Sequence, residues 1–334
     1  MTKLDLAREA VEKFKNTSKN SIANYLFKHN PIMFKDKEDA RKAVRAVTGA
    51  NGKHRNDKYS ATHKDIYKGL PRGEKNDFSP FVLQPGSYGV ISDLHIPYHD
   101  LFAIELAIEH FLKKKIKNLI INGDVIDAYQ LSHWQRDPKQ REFKYERDLL
   151  RGFLKELVKD FKVILKLGNH CERYESFLMS KAPEVWGMEI QTFEAALSVE
   201  AERDEEGRVT KIFSNNLLDK VKVIKNKRII KAGKLNVLHA HELQKGITSP
   251  VNPARGFFMK AKASVLGAHH HQTSEHIASD INGKVTGCFS SGCLCDMHPN
   301  YAPINSWNLG FVEFSHDGED FEVSNYKIIN GKVK

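Results

Sequence analysis

Hydrophobic and polar positions change their spacing three times along this chain. Over the first fifty residues the apolar positions recur at helical intervals. Leu4, Leu6, Ala7, Ala10, Val11 and Phe14 fall on one stripe, and Ile22, Ala23, Tyr25, Leu26 and Phe27 on a second. Thr17 or Ser18 is placed to cap that second helix, and Asn30-Pro31 ends it. A third helix from about Lys37 turns Ala40, Val44 and Val47 inward, leaves Arg41, Lys42 and Arg45 outside, and stops at Gly49. From Tyr88 onward, aliphatic runs too short for helices alternate with longer amphipathic stretches, the pattern of parallel strands joined by helices. Strands are predicted at 88–92, 118–121, 162–167, 235–238 and 263–266, and helices at 99–115 and 143–159. Residues 172–200 read as helical, 200–208 as an acidic exposed connection, and 221–230 as a strand pair around Asn226-Lys227. The last third becomes β-rich at 276–279, 284–289, 309–314 and 321–328. Asn282-Gly283 and Asp317-Gly318 serve there as hairpin turns, so a second sheet packed on the first is expected.

Length supports this division. A chain of 334 residues exceeds a typical single core, and a hydrophobic fraction of 40% is enough to fill a large one. The expected organisation is a small helical domain over residues 1–50, a linker over 51–87 rich in Asn, Lys, Gly, Asp and Pro, and an α/β domain over 88–334. The formal charge of +10 is local: residues 1–85 hold 18 Lys and Arg against 10 Asp and Glu, which leaves +2 for the remainder. Helix, cap, helix, turn and basic helix resembles a helix-turn-helix module, which would make Arg41, Lys42 and Arg45 nucleic-acid contacts. The alternative is a helical cap with a solvated basic face. The charged start and the lack of a long apolar run point to a soluble, cytoplasmic protein with no membrane association. Cys171, Cys288, Cys293 and Cys295 are too few for a disulfide framework. Cys288-x4-Cys293-x-Cys295 lacks a fourth ligand and a usual zinc spacing, so these read as buried free thiols.

The chemistry lies where the strands end. Asn118-Leu119-Ile120-Ile121-Asn122 runs into Gly123-Asp124, with Asp127 three residues on. In open α/β sheets this carboxyl edge is where ligands collect. The other strands end the same way: in Asp93-Leu94-His95, in Gly168-Asn169-His170, in His239-Ala240-His241, and in Gly267-Ala268-His269-His270-His271. Donors at i and i+2, as in Asp93 and His95 or His269 and His271, can point into one site as a strand runs out. Carboxylate, amide and imidazole donors without thiolate suit manganese, with iron, zinc or nickel as alternatives that the donor set does not separate.

The ordered series Asp-x-His, Gly-Asp-x-x-Asp, Gly-Asn-His, His and His-x-His resembles the calcineurin-like metallophosphoesterase superfamily, over about residues 88–315. The resemblance implies a two-sheet β-sandwich flanked by helices, with two divalent metal ions at one edge. By resemblance Asp93, His95, Asp124 and His271 hold one ion, and Asp124, Asn169, His239 and His269 the other, with Asp124 bridging. His170 then faces the leaving-group oxygen as a catalytic acid, and Arg173, His133 and Arg136 are candidate substrate contacts. The chain departs from the family pattern in two ways. Cys171 stands where an acidic residue usually follows His170, and Ala240 and Ala268 replace common glycines. The implied activity is metal-dependent phosphoester hydrolysis, and the basic first segment favours phosphodiesters of DNA or RNA. A phosphomonoesterase or protein phosphatase, and a DNA-binding protein with a structural metal, are the alternatives. The sequence does not reveal the oligomeric state.

Overall fold

The computed structural model describes residues 2–14, 17–49, 78–133, 142–188, 191–225, 227–243, 251–299 and 302–334. The chain divides into two compact units, Met1–Asn76 and Asp77–Lys334. Most of the expected linker, together with Trp134, Arg136, Arg141 and Asn226, lies outside the described residues.

The first unit holds helices α1 (Lys3–Lys13), α2 (Lys19–His29) and α3 (Lys37–Val47). Thr2 and Asp5 form a capping box on α1, while Ser18 caps α2 and Asp36 caps α3 through their side chains. Ala7, Ala10, Ile22, Ala23, Leu26, Phe34, Ala40, Ala43 and Val44 form the core of the unit. Leu4, expected on the buried stripe, is exposed. It sits at the edge of the α1 stripe, and Ala7 and Ala10 take the contact instead.

The second unit follows in chain order: β1 (Phe81–Val82), β2 (Gly86–Ile91), α4 (Leu101–Lys113), β3 (Asn118–Asn122), α5 (Phe143–Asp160), β4 (Lys162–Lys166), α6 (Arg173–Lys181) and α7 (Phe193–Ser198). Then come β5 (Val199–Arg203), β6 (Val209–Ser214), β7 (Val221–Ile224), β8 (Ile230–Ala232), β9 (Leu235–His239), α8 (Pro253–Ala261), β10 (Val265–Ala268), β11 (Ser274–Ser279), β12 (Val285–Ser290), β13 (Gly310–His316), β14 (Phe321–Ile329) and β15 (Lys332–Val333). Two sheets form the sandwich. One has the order β15-β14-β13-β2-β3-β4-β7 and the other β1-β8-β9-β10-β12-β11. Tyr88, Val90 and Ile120 meet Ile230, Val237, Leu266 and Phe289 in the layer between them. On the outer face of the first sheet, Ile91, Leu119, Ile121, Val163 and Leu165 pack on Ala103, Ala107 and Phe111 of α4 and on Leu150 and Leu154 of α5. Burial on both faces is why β3 reads as a continuous aliphatic run.

Three expectations change. Residues 221–230 do not form a strand pair: β7 runs parallel to β4 in one sheet, while β8 pairs with β1 and β9 in the other. The C-terminal strands do not build a separate second sheet either. Both hairpin turns are present, but β11 and β12 complete one sheet, whereas in the other β13 pairs with β2 and β14 lies outside β13. Local turn chemistry fixes which strands are adjacent in a hairpin, and says nothing about which sheet the hairpin joins. Finally, the stretch expected to be helix and then connection contains α6, α7 and an exposed antiparallel hairpin, β5 with β6. Its Glu-rich strand carries no buried face from which to recognise it. Among the described residues no helix is long and apolar enough to cross a membrane.

Candidate metal centre

The ends of β2, β3, β4, β9 and β10 converge through hydrogen bonds between their following loops. Asp93 N–H donates to the Gly123 carbonyl (3.2 Å), His95 N–H to the Asp124 carbonyl (3.0 Å), and His269 N–H to Asp93 Oδ2 (3.0 Å). Asp93, His95, Asp124, His269 and His271 all adopt left-handed backbone conformations, with φ of 52°, 48°, 46°, 84° and 56°. Non-glycine residues there carry strain of roughly 1–3 kcal/mol each, and such strain concentrates at functional sites. Glycine is required beside them. A Cβ on Gly168 would collide with Asp124 Oδ1, and one on Gly123, at φ 86°, would collide with the His239 ring.

These turns gather two sets of donors, Asp93 with His95 and His271, and Asp124 with His239 and His269. In each set one ligand atom per residue lies within 4.8 Å of the others. His271 Nε2 is 3.4 Å from Asp93 Oδ1 and 3.2 Å from His95 Nε2. His239 Nε2 is 3.2 Å from Asp124 Oδ2 and 3.9 Å from Asp93 Oδ1, so the two sets adjoin. Asp93 Oδ1, Asn169 Oδ1 and His239 Nε2 are buried without a hydrogen-bond partner, although buried polar atoms are ordinarily paired. Borderline donors that are buried, unpartnered and convergent are what divalent cations require, so these residues fit such ions.

The electrostatics agree. Burial pushes the Asp93 carboxyl up, yet His271 and His239 outweigh it and hold Asp93 at about 2. Asp124 lies well below the usual range, because His239 and His170 overcome the same burial. Burial pushes His239 down, but Asp124 and then Asp93 carry it to about 9, whereas burial and His239 push His269 to about 3.

The replacement of the acid after His170 is resolved by geometry. Asp127, the second carboxylate of Gly-Asp-x-x-Asp, places Oδ1 2.9 Å from His95 Nδ1 and 3.2 Å from His170 Nδ1. It remains ionised: hydrogen bonds from His170 and His95 outweigh burial and hold it far below the carboxylate range. His170 Nδ1 also lies 2.8 Å from the Asp127 carbonyl, which can only accept, so this nitrogen carries the ring proton. Nε2 then accepts from Arg173 Nη2 at 3.0 Å, and Arg173 Nη1 donates to the Asp127 carbonyl at 2.8 Å. Cys171 is buried in the core, where burial pushes its thiol up to about 12. Glu172 turns away towards His241, 3.5 Å distant, and His270 stacks on Phe257.

The structure therefore brings Asp93, His95, Asp124, Asn169, His170, Arg173, His239, His269 and His271 to one edge. It leaves His133 exposed, and Arg136 is outside the described residues. Asp127 was absent from the expected site, although its place in the second motif was the available signal. Arg41, Lys42 and Arg45 lie on α3 in the first unit, where Arg41 Nη1 and Arg45 Nη1 are 3.4 and 3.9 Å from the Glu38 carboxylate.

Vacuolar protein sorting 29 from Cryptosporidium parvum aligns at a TM-score of 0.39 and 14% identity over 75% of this chain and 95% of its own. The phosphoesterase Yfce from E. coli aligns at 0.31 and 15% over 68% and 87%, and a dimetal phosphatase from Danio rerio at 0.31 and 10% over 72% and 96%. No curated protein matches the chain. The family model for calcineurin-like phosphoesterases matches residues 87–273, which hold every motif from Asp93 to His271. The chain belongs to the calcineurin-like phosphoesterase family and is a metal-dependent phosphoester hydrolase.

Proposed function

We propose that this protein cleaves phosphodiesters in nucleic acid in the cytoplasm, with Asp93, His95, Asp124 and His271 holding one divalent cation and Asp124, Asn169, His239 and His269 a second. Manganese is the first expectation. When bound, such ions lower the pKa of water and polarise phosphoryl oxygens. The protein's own groups supply the rest. Asp127 orients His95 through Nδ1, which leaves Nε2 for ligation. His170, with one proton already on Nδ1, presents Nε2 to the substrate, and as the imidazolium it donates the second proton from Nε2 to the departing oxygen. Arg173, now paired with that nitrogen, has the planar fork to turn onto a phosphoryl oxygen and release it.

The substrate class rests on one observation, the +8 excess in residues 1–85 with Arg41 and Lys42 on the outer side of α3. Exposed pairs such as Arg41–Glu38 contribute little and exchange readily for phosphate. A groove of about 540 Å³ in the second unit adds support. Lys144, Arg147 and Lys155 of α5 and Arg203 of β5 line it with Asp148 and Glu200, while the buried Arg151 beneath them donates to the Ala196, Leu197 and Val199 carbonyls. The groove reaches Tyr174, the neighbour of Arg173.

The test measures duplex and single-stranded DNA affinity against salt for the parent and for Arg41→Ala/Lys42→Ala/Arg45→Ala, with turnover of an aryl phosphodiester and the matching monoester. Loss of two or three phosphate contacts should flatten the salt slope by roughly 0.9 per contact on duplex. Diester turnover should exceed monoester turnover. Unchanged DNA affinity together with a preference for the monoester would replace this reading with the phosphomonoesterase or protein-phosphatase one.

A further inference from the structure

Residues 293–295 pass beside the metal centre, bending at Leu294 between single bridges from Cys293 to Leu309 and from Cys295 to His99. Leu294 N–H donates to the Asp93 carbonyl (3.2 Å), Cys293 N–H to the Asn308 carbonyl (3.1 Å), and Gly310 N–H to the Cys293 carbonyl (3.0 Å). Leu294 packs into the core, while Cys293 and Cys295, both free and buried, bring their sulfurs together. A third donor meets them there, and it is not Cys288. The His271 ring turns Nε2 towards Asp93 and His95, and its opposite nitrogen, Nδ1, lies 4.0 Å from Cys295 Sγ. One ligand atom each from His271, Cys293 and Cys295 falls within 4.8 Å of the others. Met297 Sδ is 3.9 Å from Cys293 Sγ, and Trp307 packs against His271 at 4.1 Å between ring centroids.

We infer that His271, Cys293 and Cys295 form a further metal site, for one thiophilic cation of the zinc, cadmium or cuprous class. Two thiolates and an imidazole with a thioether beside them are soft donors that select such ions over manganese or magnesium. A tetrahedral ion holds sulfur at about 2.3 Å and imidazole nitrogen at about 2.0–2.1 Å. Its ligands are then roughly 3.5–4 Å apart, a contraction of under about 1 Å from the spacing here. On binding a divalent ion, both thiols release their protons to solvent, and where His271 Nε2 also ligates the other donor set its ring gives up its last N–H proton and bridges as imidazolate; each sulfur and Nδ1 donates an electron pair to the metal. Nothing is oxidised. His271 stands between the two donor sets, so a soft ion on Nδ1 acts on the phosphoesterase centre through a single ring.

The experiment titrates the reduced full chain with Cd²⁺ in excess Mn²⁺ and reads the ultraviolet thiolate-to-cadmium charge-transfer band. The expected result is saturation at one Cd²⁺ per chain. Cys293→Ser and Cys295→Ser should each weaken Cd²⁺ binding by about tenfold or more, and the double variant should lose the band. Asp124→Asn should keep it, since Asp124 donates nothing here; the proposed dinuclear cluster can therefore fail without this site failing, and the reverse. Cadmium-edge X-ray absorption on the parent, which depends on no variant folding, should count two sulfur neighbours. A spectrum without sulfur, or a band that survives in the double serine variant, overturns the inference.

Discussion

Replacing Asp127 by Asn keeps the shape and removes one charge from the point where His95 and His170 meet. The side chain is almost wholly buried, and its Oδ1 serves both rings, at 2.9 and 3.2 Å. A hydrogen bond to a charged group is worth about 1.5–3 kcal/mol. The two rings are not equally exposed to the loss. His170 Nδ1 keeps its 2.8 Å bond to the Asp127 carbonyl, and Arg173 is held by that same carbonyl, so both retain their orientation and lose only the field of the carboxylate. The effect on His170 belongs at the lower limit, about 1.5 kcal/mol or roughly tenfold in kcat. His95 has no such second acceptor among the described contacts, so metal affinity should fall by about 10–100-fold. The assay is kcat for an aryl phosphodiester at saturating Mn²⁺, which removes occupancy from the comparison, with Mn²⁺ affinity measured separately. Asp127→Asn, His170→Gln and the double variant complete a cycle. Because Asp127 reaches the substrate only through His170, the double variant should turn over within about threefold of His170→Gln. An unchanged kcat in Asp127→Asn, or a double variant slowed by the product of the two single effects, would refute the assignment.

Two further outcomes follow from the charges of the site. Against burial, Asp124 and then Asp93 raise His239 to about 9, so it must give up a proton to bind an ion. Metal affinity should rise with pH up to about 9, a slope that His239→Ala loses along with affinity and that His241→Ala retains, read by calorimetric titration in buffers of differing ionisation enthalpy. Glu146, buried behind Asp127 with Oε2 accepting from the Ala128 N–H, is pushed by burial and by Asp127 from 4.5 to about 8. The folded state therefore binds its proton more tightly than the unfolded state does. That contribution is complete below about pH 4.5 and is lost as pH rises to about 8, at roughly 1.4 kcal/mol per pKa unit as an upper bound. Glu146→Gln should match the parent near pH 4 and melt at a higher temperature at pH 9. A lower Tm for the variant at pH 9 would remove this account.

The helices of the first unit were legible because each carries its own signals: Ser18 before Ile22, Asp36 before Ala40, and Gly49 at φ 66° after Thr48. The βαβ succession was legible for a similar reason, since strands buried on both faces leave uninterrupted aliphatic runs. What failed were pairings between distant segments. β7 and β8 are six residues apart and belong to different sheets. Nothing in Val221–Ile224 or Ile230–Ala232 records the partner, because either sheet presents the same apolar surface to a short strand. Asp127 was missed on other grounds. Its motif was visible, but its role depends on a ring 43 positions later, through His170 Nδ1.

The cysteines mark the same boundary from the other side. Spacing along the chain grouped Cys288 with Cys293 and Cys295, found no fourth ligand, and read them as the buried free thiols they are; in the sequence the place nearest the pair belonged to Cys288. Folding gives that place to His271, on a strand end more than twenty residues earlier, and seats Cys288 near the Ala263 carbonyl instead. The cause is the backbone at the site. Asp93, His95, Asp124, His269 and His271 supply five of the eleven left-handed non-glycine positions in the described chain, so each loop turns sharply as it leaves its strand. A turn of that kind re-aims a side chain out of the alternation that a strand pattern predicts, which is why donor types could be read from sequence while their facing could not. The strain has to be offset, and the attraction between the proton on His239 and the Asp124 and Asp93 carboxylates, 3.2 and 3.9 Å from Nε2, opposes it. Ligation replaces that proton with a cation of higher charge, so the backbone that costs the fold stability is also the backbone that holds the donors in place before any ion arrives.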